Sequence, residues 1–399
     1  MKTEPARATH RPVLLVALTL VTGCGGGDDP APRPTATPGT PAERPEPTDQ
    51  EQIAALLNDR AAALETREGR AYVQTATGAQ RRRDRADARR ARRLRIRAVT
   101  LEAGHISVSG DRATARVKAG YAIEGVRGTF VYERRVRARR TADGWRVSAA
   151  PGRRGLAPWE VDDFRERRTE HFVVLAPPEV PVDDLVVALE DGYATMSELL
   201  TRGRLRRRYL VIVAAGSEQA RALTVQIRGV ETLAALADAS VIQRGPAART
   251  ANVLSLRLVV VWEPFATLDS VGRRRVVTHE LTHAALTSST SGRTPAWLSE
   301  GVALYVSRDR RPSPPGADLA ALSQPDAITR LTGEAQADAY NASSAAAYAI
   351  AERFGTDRLL ELYEAFNDPR LRGRPGPRLA NRALRRELGM TLAELTSSI

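Results

Sequence analysis

The stretch His279-Glu280-Leu281-Thr282-His283 constrains this chain more than any other part of its sequence. Residues four apart lie on the same face of a helix, so His279 and His283 can direct two imidazole nitrogens at one metal ion. Glu280 lies about 100° further round the helix and flanks whatever the ion binds. Zinc favours such ligands, with three protein groups and one open position when the site is catalytic.

A second motif supplies the natural third ligand, Glu300, within Pro295-Ala296-Trp297-Leu298-Ser299-Glu300-Gly301. The turn from Ser288 to Gly292 ends one helix, and Pro295 starts another that runs back beside it. The plainer alternative is a helix with two surface histidines. The chain has only five histidines, however, and the motif continues an apolar helical face. The spacing therefore favours a metal site of the zincin type.

Together the two motifs resemble the gluzincin metallopeptidases, in particular the bacterial peptidase MA-like proteins, which combine HExxH with a downstream W-L-x-E-G. The resemblance covers roughly residues 159 to 398. It implies a thermolysin-like zincin fold, Zn²⁺ held by His279, His283 and Glu300, and general acid/base work by Glu280. The interval between His283 and Glu300 is shorter than in the best-known members, which implies a trimmed connecting loop.

The same resemblance implies three further features. The stretch Asp338–Ser344 is similar to the Tyr-x-x-x-Ser segment of the family, in which Tyr340 would donate a hydrogen bond to the oxyanion; a core or cap tyrosine is the alternative. The strand over 252–262 would be the sheet edge along which an extended peptide pairs. Leu304 stands one turn after Glu300, where a carboxylate is expected, so a partner for a ligating histidine must come from elsewhere.

The N-terminus predicts export and lipid anchoring. Residues 1–23 combine basic residues with a short apolar core, as in a signal peptide. They lead into Cys24, the only cysteine, and the stretch Val21-Thr22-Gly23-Cys24 resembles the lipobox of bacterial lipoproteins. The resemblance places cleavage before Cys24 and the lipid on this residue. Residues 24–49 are rich in Pro, Gly and Thr, which is typical of a flexible tether. The expected location is the outer face of the bacterial cytoplasmic membrane.

Residues 50–152 predict a separate domain before the metallopeptidase domain at 158–399, and hence an α+β fold overall. Helical spacing over 50–67 precedes alternating segments at 94–101, 105–108, 113–119, 129–136 and 145–148, which read as strands. This order resembles the NTF2-like (SnoaL-like) cone of helices and a curved sheet. His105 starts one of these strands and is more typical of a structural histidine than of a ligand.

The net charge of +13 comes almost entirely from arginine, since Lys2 and Lys118 are the only lysines. A basic surface favours anionic neighbours such as phospholipid headgroups or acidic cell-wall polymers. The arginine run at 81–97 is either a solvated face or a contact for such an anion. No recognised nucleic-acid motif accompanies the charge, so no nucleic-acid partner is expected.

The main hypothesis is a lipid-anchored zinc metallopeptidase acting on a peptide or protein substrate. The alternative is a surface-anchored binding or scaffold lipoprotein whose zincin domain is catalytically inactive. A third option is a zinc hydrolase acting on a non-peptide bond, because the same ion and base can serve an ester or another amide.

Overall fold

Helices and an antiparallel sheet form the first part of the fold. The computed structural model describes residues 46–152, 154–200, 205–224, 233–242 and 252–399. The first of these ranges contains helices α1 (Asp49–Glu65), α2 (Gly69–Gln74) and α3 (Gly78–Ala91), and strands β1 (Ile96–Ser109), β2 (Arg112–Ile123), β3 (Phe130–Thr141) and β4 (Gly144–Ala149). The strands pair antiparallel in the order β1-β2-β3-β4.

Local chemistry explains where these elements begin. Thr48 and Glu51 form a reciprocal capping box at the start of α1, which satisfies two otherwise free backbone N–H groups. The prediction of two strands at 94–101 and 105–108 is wrong, because β1 is one strand running through both. Its register with β2 shifts between Ala103 and Ile106. Such a bulge breaks the alternation pattern without ending the strand.

The second part alternates strands and helices and then becomes helical. Its strands are β5 (Arg165–Arg168), β6 (Phe172–Ala176), β7 (Tyr209–Ala214), β8 (Ala235–Ile242) and β9 (Asn252–Val261). Its helices are α4 (Pro158–Val161), α5 (Asp183–Leu199), α6 (Ser217–Leu223), α7 (Trp262–Ala266), α8 (Ser270–Leu286), α9 (Ala296–Val306), α10 (Gly333–Phe354), α11 (Thr356–Ala365), α12 (Pro377–Leu388) and α13 (Leu392–Ser397). Within the described ranges, no helix is both long and apolar enough to cross a membrane.

The second sheet has the order β5-β6-β7-β9-β8, and its antiparallel strand β8 forms one edge. The prediction that the strand over 252–262 is the edge is therefore wrong. β9 is central, paired in parallel with β7 on one side and antiparallel with β8 on the other. The strand β8 escapes sequence analysis because Ala, Asp and Ser interrupt its apolar alternation and weaken its strand signal.

Both faces of the second sheet are covered, which explains its continuous apolar strands. One face, including Val174, Val211 and Val260, packs with residues of α5 and α8. The opposite face, including Val173, Ile212 and Val259, packs with residues of the first sheet and of α4. Residues 47–399 accordingly form one compact unit. Thr129, directly before β3, donates a backbone hydrogen bond of 3.1 Å to the carbonyl of Leu254 on β9.

A buried ion pair ties the first helices together. Arg60 on α1 donates to both carboxylate oxygens of Asp84 on α3 at 2.6 Å, and also to the Tyr72 hydroxyl and the Thr75 hydroxyl. The two charged side chains are 5% and 0% exposed. Removing one member of such a pair leaves the other charge buried without its counter-ion.

We therefore expect Asp84→Ala to lower the free energy of unfolding by about 3–5 kcal/mol. Asp326→Ala, which breaks the exposed pair between Asp326 and Arg330, should change it by less than about 1 kcal/mol. Urea unfolding of both variants measures the difference. Equal effects would contradict a structural role for the buried pair.

Candidate metal centre

Helix α8 places the two histidines of the first motif at the edge of the core. Asp269 caps its N-terminus by accepting a hydrogen bond of 2.7 Å from the backbone N–H of Gly272. The buried residues of α8 include Val277 and Leu281, which pack in the core between the second sheet and the following helices. His279 and His283 retain 15% and 22% exposure of their side chains. The histidines are thus accessible from one side while the helix beneath them is fixed.

The turn between α8 and α9 is held by Arg293, a residue to which sequence analysis assigned no role. Its buried guanidinium donates hydrogen bonds to the carbonyls of Phe366, Asp368 and Leu371. These carbonyls belong to the segment after α11, more than 70 positions away in the sequence. The short connection therefore depends on the C-terminal helices for its shape.

Gly301 lets α9 approach α10 closely. A Cβ atom on this residue would lie 2.5 Å from the carbonyl oxygen of Ser343, which is closer than real atoms allow. Close helix packing therefore explains why the second motif has glycine at this position. Because it directly follows Glu300, the close approach also fixes where Glu300 stands relative to α10.

The three predicted ligands converge on one point. The Nε2 atoms of His279 and His283 lie 3.1 Å apart, and Oε2 of Glu300 lies 3.2 Å from the first and 3.4 Å from the second. Two ligand atoms held about 2.0–2.1 Å from a tetrahedral ion are about 3.3–3.4 Å apart. These three side chains therefore form a group that could hold a metal ion.

The charges of the group are strongly coupled. Burial lowers the pKa of His283, but the Glu300 carboxylate outweighs burial and raises that pKa to about 9. Burial raises the pKa of Glu300, yet the two imidazoles hold it well below its usual range. At neutral pH the metal-free group is thus an ion pair, and a metal ion would replace the proton of His283.

Glu280 lies against the edge strand of the sheet. Its Oε2 accepts a hydrogen bond of 2.7 Å from the backbone N–H of Ala237 on β8. Burial raises the pKa of the Glu280 carboxyl, and the two nearby histidines partly offset this rise. A carboxylate with a raised pKa is a better base, which suits proton transfer near neutral pH.

Tyr340, which the family resemblance singled out, also lies beside the group. Its ring centroid is 6.5 Å from that of His279, and the guanidinium carbon of Arg311 lies 5.7 Å from the same tyrosine centroid. The Glu300 carboxylate, with a further contribution from burial, raises the pKa of Tyr340. The phenol therefore keeps its proton and remains a hydrogen-bond donor at neutral pH.

The remaining predicted residues lie elsewhere. His105 is exposed on β1, and His171 stacks on Tyr193 while its Nδ1 lies 2.6 Å from a carboxylate oxygen of Glu190. Leu304, one turn after Glu300, is buried in the core. The signal segment at 1–23, Cys24 and most of the predicted tether lie outside the described residues.

Comparison with known proteins places few limits on this chain. No protein-family model and no curated protein matches the sequence. Among solved structures, that of a variant of Rv3472, a protein of unknown function from Mycobacterium tuberculosis, is similar over 25% of this chain and 75% of that chain, with 19% sequence identity and a TM-score of 0.22. That similarity is too slight to bear on the function.

Metal binding at pH 7 should release about one proton, because the raised pKa of His283 means that a proton must leave before the nitrogen can bind. Apparent affinity should therefore increase with pH up to about 9. Calorimetric titration with Co²⁺ in buffers of different ionisation enthalpy measures the number of protons released. Binding without proton release would contradict the raised pKa of His283.

The matched control uses another histidine. His283→Ala removes a ligand and should weaken Co²⁺ binding by more than about 100-fold, which exceeds the effect of removing an outer partner. His105→Ala makes the same chemical change on the exposed surface and should leave binding unaltered.

Proposed function

We propose that this protein is a zinc-dependent metallopeptidase of the zincin type, tethered outside the cytoplasmic membrane. The convergence of His279, His283 and Glu300, with Glu280 on the adjoining position of the same helix, is the observation that supports the proposal. Two imidazoles and one carboxylate are ligands that zinc accepts, and three protein ligands leave a fourth position open.

Zinc in such a site activates a water molecule and polarises a carbonyl oxygen. Glu280 would take one proton from the attacking water as its oxygen bonds to the scissile carbonyl carbon. It would then pass that proton to the amine as the C–N bond breaks, which balances the reaction. His279, His283 and Glu300 keep their positions throughout, because α8 and α9 are fixed by the core and by the Arg293 turn.

The edge strand β8 would bind the substrate backbone. The backbone N–H of Ala237 donates to Glu280, so the side of β8 that does not pair with β9 faces the helix that carries the two histidines. An extended peptide lying against this edge would form strand hydrogen bonds and pass directly beside Glu280. The role first expected for the strand over 252–262 thus falls to its neighbour.

Tyr340 would donate its phenolic hydrogen to the oxygen that develops negative charge. The raised pKa of this phenol keeps it protonated, and a donor aimed at developing charge is more useful in the transition state than in the ground state. Arg311, in the loop after α9, lies beside the same ring, and its guanidinium is paired with the carboxylate of Asp309.

The first part of the chain would be an NTF2-like domain, and Cys24 would carry the lipid anchor. The order of helices α1–α3 followed by the four-stranded sheet supports the NTF2-like domain. The sequence Val21-Thr22-Gly23-Cys24 after an apolar stretch supports the lipid anchor. Residues 24–49 would let the folded part stand away from the bilayer.

One observation favours the alternative of a binding protein without turnover. Leu304 occupies the place where a carboxylate would orient a ligating histidine, and it is buried in the core. The absence of such a partner typically costs about 10-fold to 100-fold in metal affinity or activity. A surface-anchored scaffold would then bind the metal and peptides without cleaving them.

Cleavage should depend on the carboxylate of Glu280, and its loss should leave the bound metal in place. The compact unit 47–399, loaded with zinc, is incubated with a proteome-derived peptide library, and new termini are read by mass spectrometry. Glu280→Gln should reduce cleavage by about 10²–10⁴-fold, because it removes the base while keeping the shape.

Zinc content is the control in this experiment, and it should be equal in both proteins. Equal cleavage by Glu280→Gln would refute the mechanism. Zinc binding with no cleavage by either protein would favour the scaffold, and cleavage of an ester library alone would favour a non-peptide substrate.

Tyr340→Phe should lower kcat by about 10²–10³-fold with little change in KM, as expected when one oxyanion donor is removed. Tyr348→Phe removes a hydroxyl from the same helix about two turns further on and should leave both constants unchanged. Steady-state kinetics on a peptide found in the library test would measure both. A decrease shared by the two variants would indicate a packing role for Tyr340.

A further inference from the structure

A groove of about 640 Å³ lies between α2 and α3, in the first part of the chain. Its lining includes the small residues Gly69, Val73 and Ala88. Gly69 lets the two helices approach closely, because a Cβ there would lie 3.3 Å from the Cβ of Ala88. Its walls carry arginines and, among the described residues, no acidic side chain. We term this feature the arginine groove, defined by Arg70, Arg81, Arg85, Arg89, Arg92 and Arg93.

The arginines of α3 form a line along the groove. Arg81, Arg85 and Arg89 are spaced four residues apart, so each follows the last by about 6 Å along the same side of the helix. Like charges at this spacing destabilise a helix. Codon bias can raise the arginine content of a chain, but it does not by itself arrange arginines in one acid-free concavity.

The ion pairs of this region leave the line uncompensated. Of the two acidic residues of α3, Asp84 is fully buried and bound by Arg60, and Asp87 pairs with Arg90. Asp163 pairs with Arg93 at the end of the groove. In the part of the chain that the structure describes, no carboxylate lies within ion-pair distance of Arg81, Arg85 or Arg89, and all three are exposed. Their charge is therefore available to a ligand.

We propose that the arginine groove binds a phosphodiester-linked polyanion without bases, a chain that presents one phosphate after another. The planar guanidinium donates two parallel hydrogen bonds to phosphate oxygens, which a lysine cannot do. A line of guanidiniums at helical spacing matches a chain that presents one phosphate after another. A single small anion would use only one or two of them.

The lining of the groove favours this ligand over the other polyanions. Proteins that bind single-stranded nucleic acid stack the bases on aromatic side chains, and the lining residues include none. A bilayer surface is flat and favours exposed large apolar residues for insertion, whereas the groove is concave and its apolar members are Val73 and Ala88. This binding site is independent of the proposed hydrolytic centre.

The test measures binding of the full chain to a fluorescent oligomer of propanediol phosphodiesters by anisotropy. Replacing Arg81, Arg85 and Arg89 together with Gln should weaken binding at least tenfold. It should also reduce the slope of log K against log[salt] by about 2, at about 0.7 for each phosphate that the protein no longer neutralises. The melting temperature should not fall, because the change removes like-charge repulsion within α3.

The matched control removes three exposed arginines of the first sheet, Arg116, Arg135 and Arg137, which lie outside the groove. Their replacement with Gln makes the same charge change and should alter affinity less than threefold. An equal decrease in both triple variants would overturn the proposal in favour of general charge attraction. Tighter binding of oligothymidylate with the same number of phosphates would overturn the proposal in favour of a nucleic-acid ligand. Binding that depends on Arg81 but occurs only with phosphatidylglycerol vesicles would overturn it in favour of a membrane surface.

Discussion

The return of α9 against α8 is the contact on which the candidate site depends. The two histidines are placed by a single helix, but Glu300 reaches them only because the intervening chain turns within a few residues. Arg293 anchors that turn to carbonyls beyond α11, and Gly301 allows α9 to lie close to α10. Helices α9 and α10 and the segment beyond α11 therefore all help to position the Glu300 carboxylate. A site of fixed geometry requires rigid support of this kind.

The second sheet links this site to the first part of the chain. Arg257 on β9 donates to Asp238 on the edge strand, to the carbonyl of Leu223, and to the hydroxyl of Tyr121 on β2. Ala237, which precedes Asp238 on the edge strand, contacts Glu280. The first sheet thus helps to fix the strand that borders the metal centre, in addition to covering one face of the second sheet.

Local features of this fold could be predicted from the sequence, whereas long-range ones could not. The pairing of His279 with His283 follows from helical period alone, and the turn residues indicated that Glu300 returns to them. The edge position that the family resemblance implied for β9 was wrong, because the neighbours of a strand depend on segments that are distant in the sequence. The role of Arg293 was missed for the same reason, since its carbonyl partners lie far along the chain. In α3, buried Asp84 lies within an arginine-rich sequence that reads as a uniformly solvated face.

Anomalous diffraction at the zinc edge, from crystals of the zinc-loaded protein, would locate the ion. We expect one strong peak bonded to Nε2 of His279, Nε2 of His283 and a carboxylate oxygen of Glu300, at about 2.0–2.2 Å from each. Glu280 should not bind the ion. A peak at other residues, or zinc held by Glu280 in place of Glu300, would rule out the proposed metal centre.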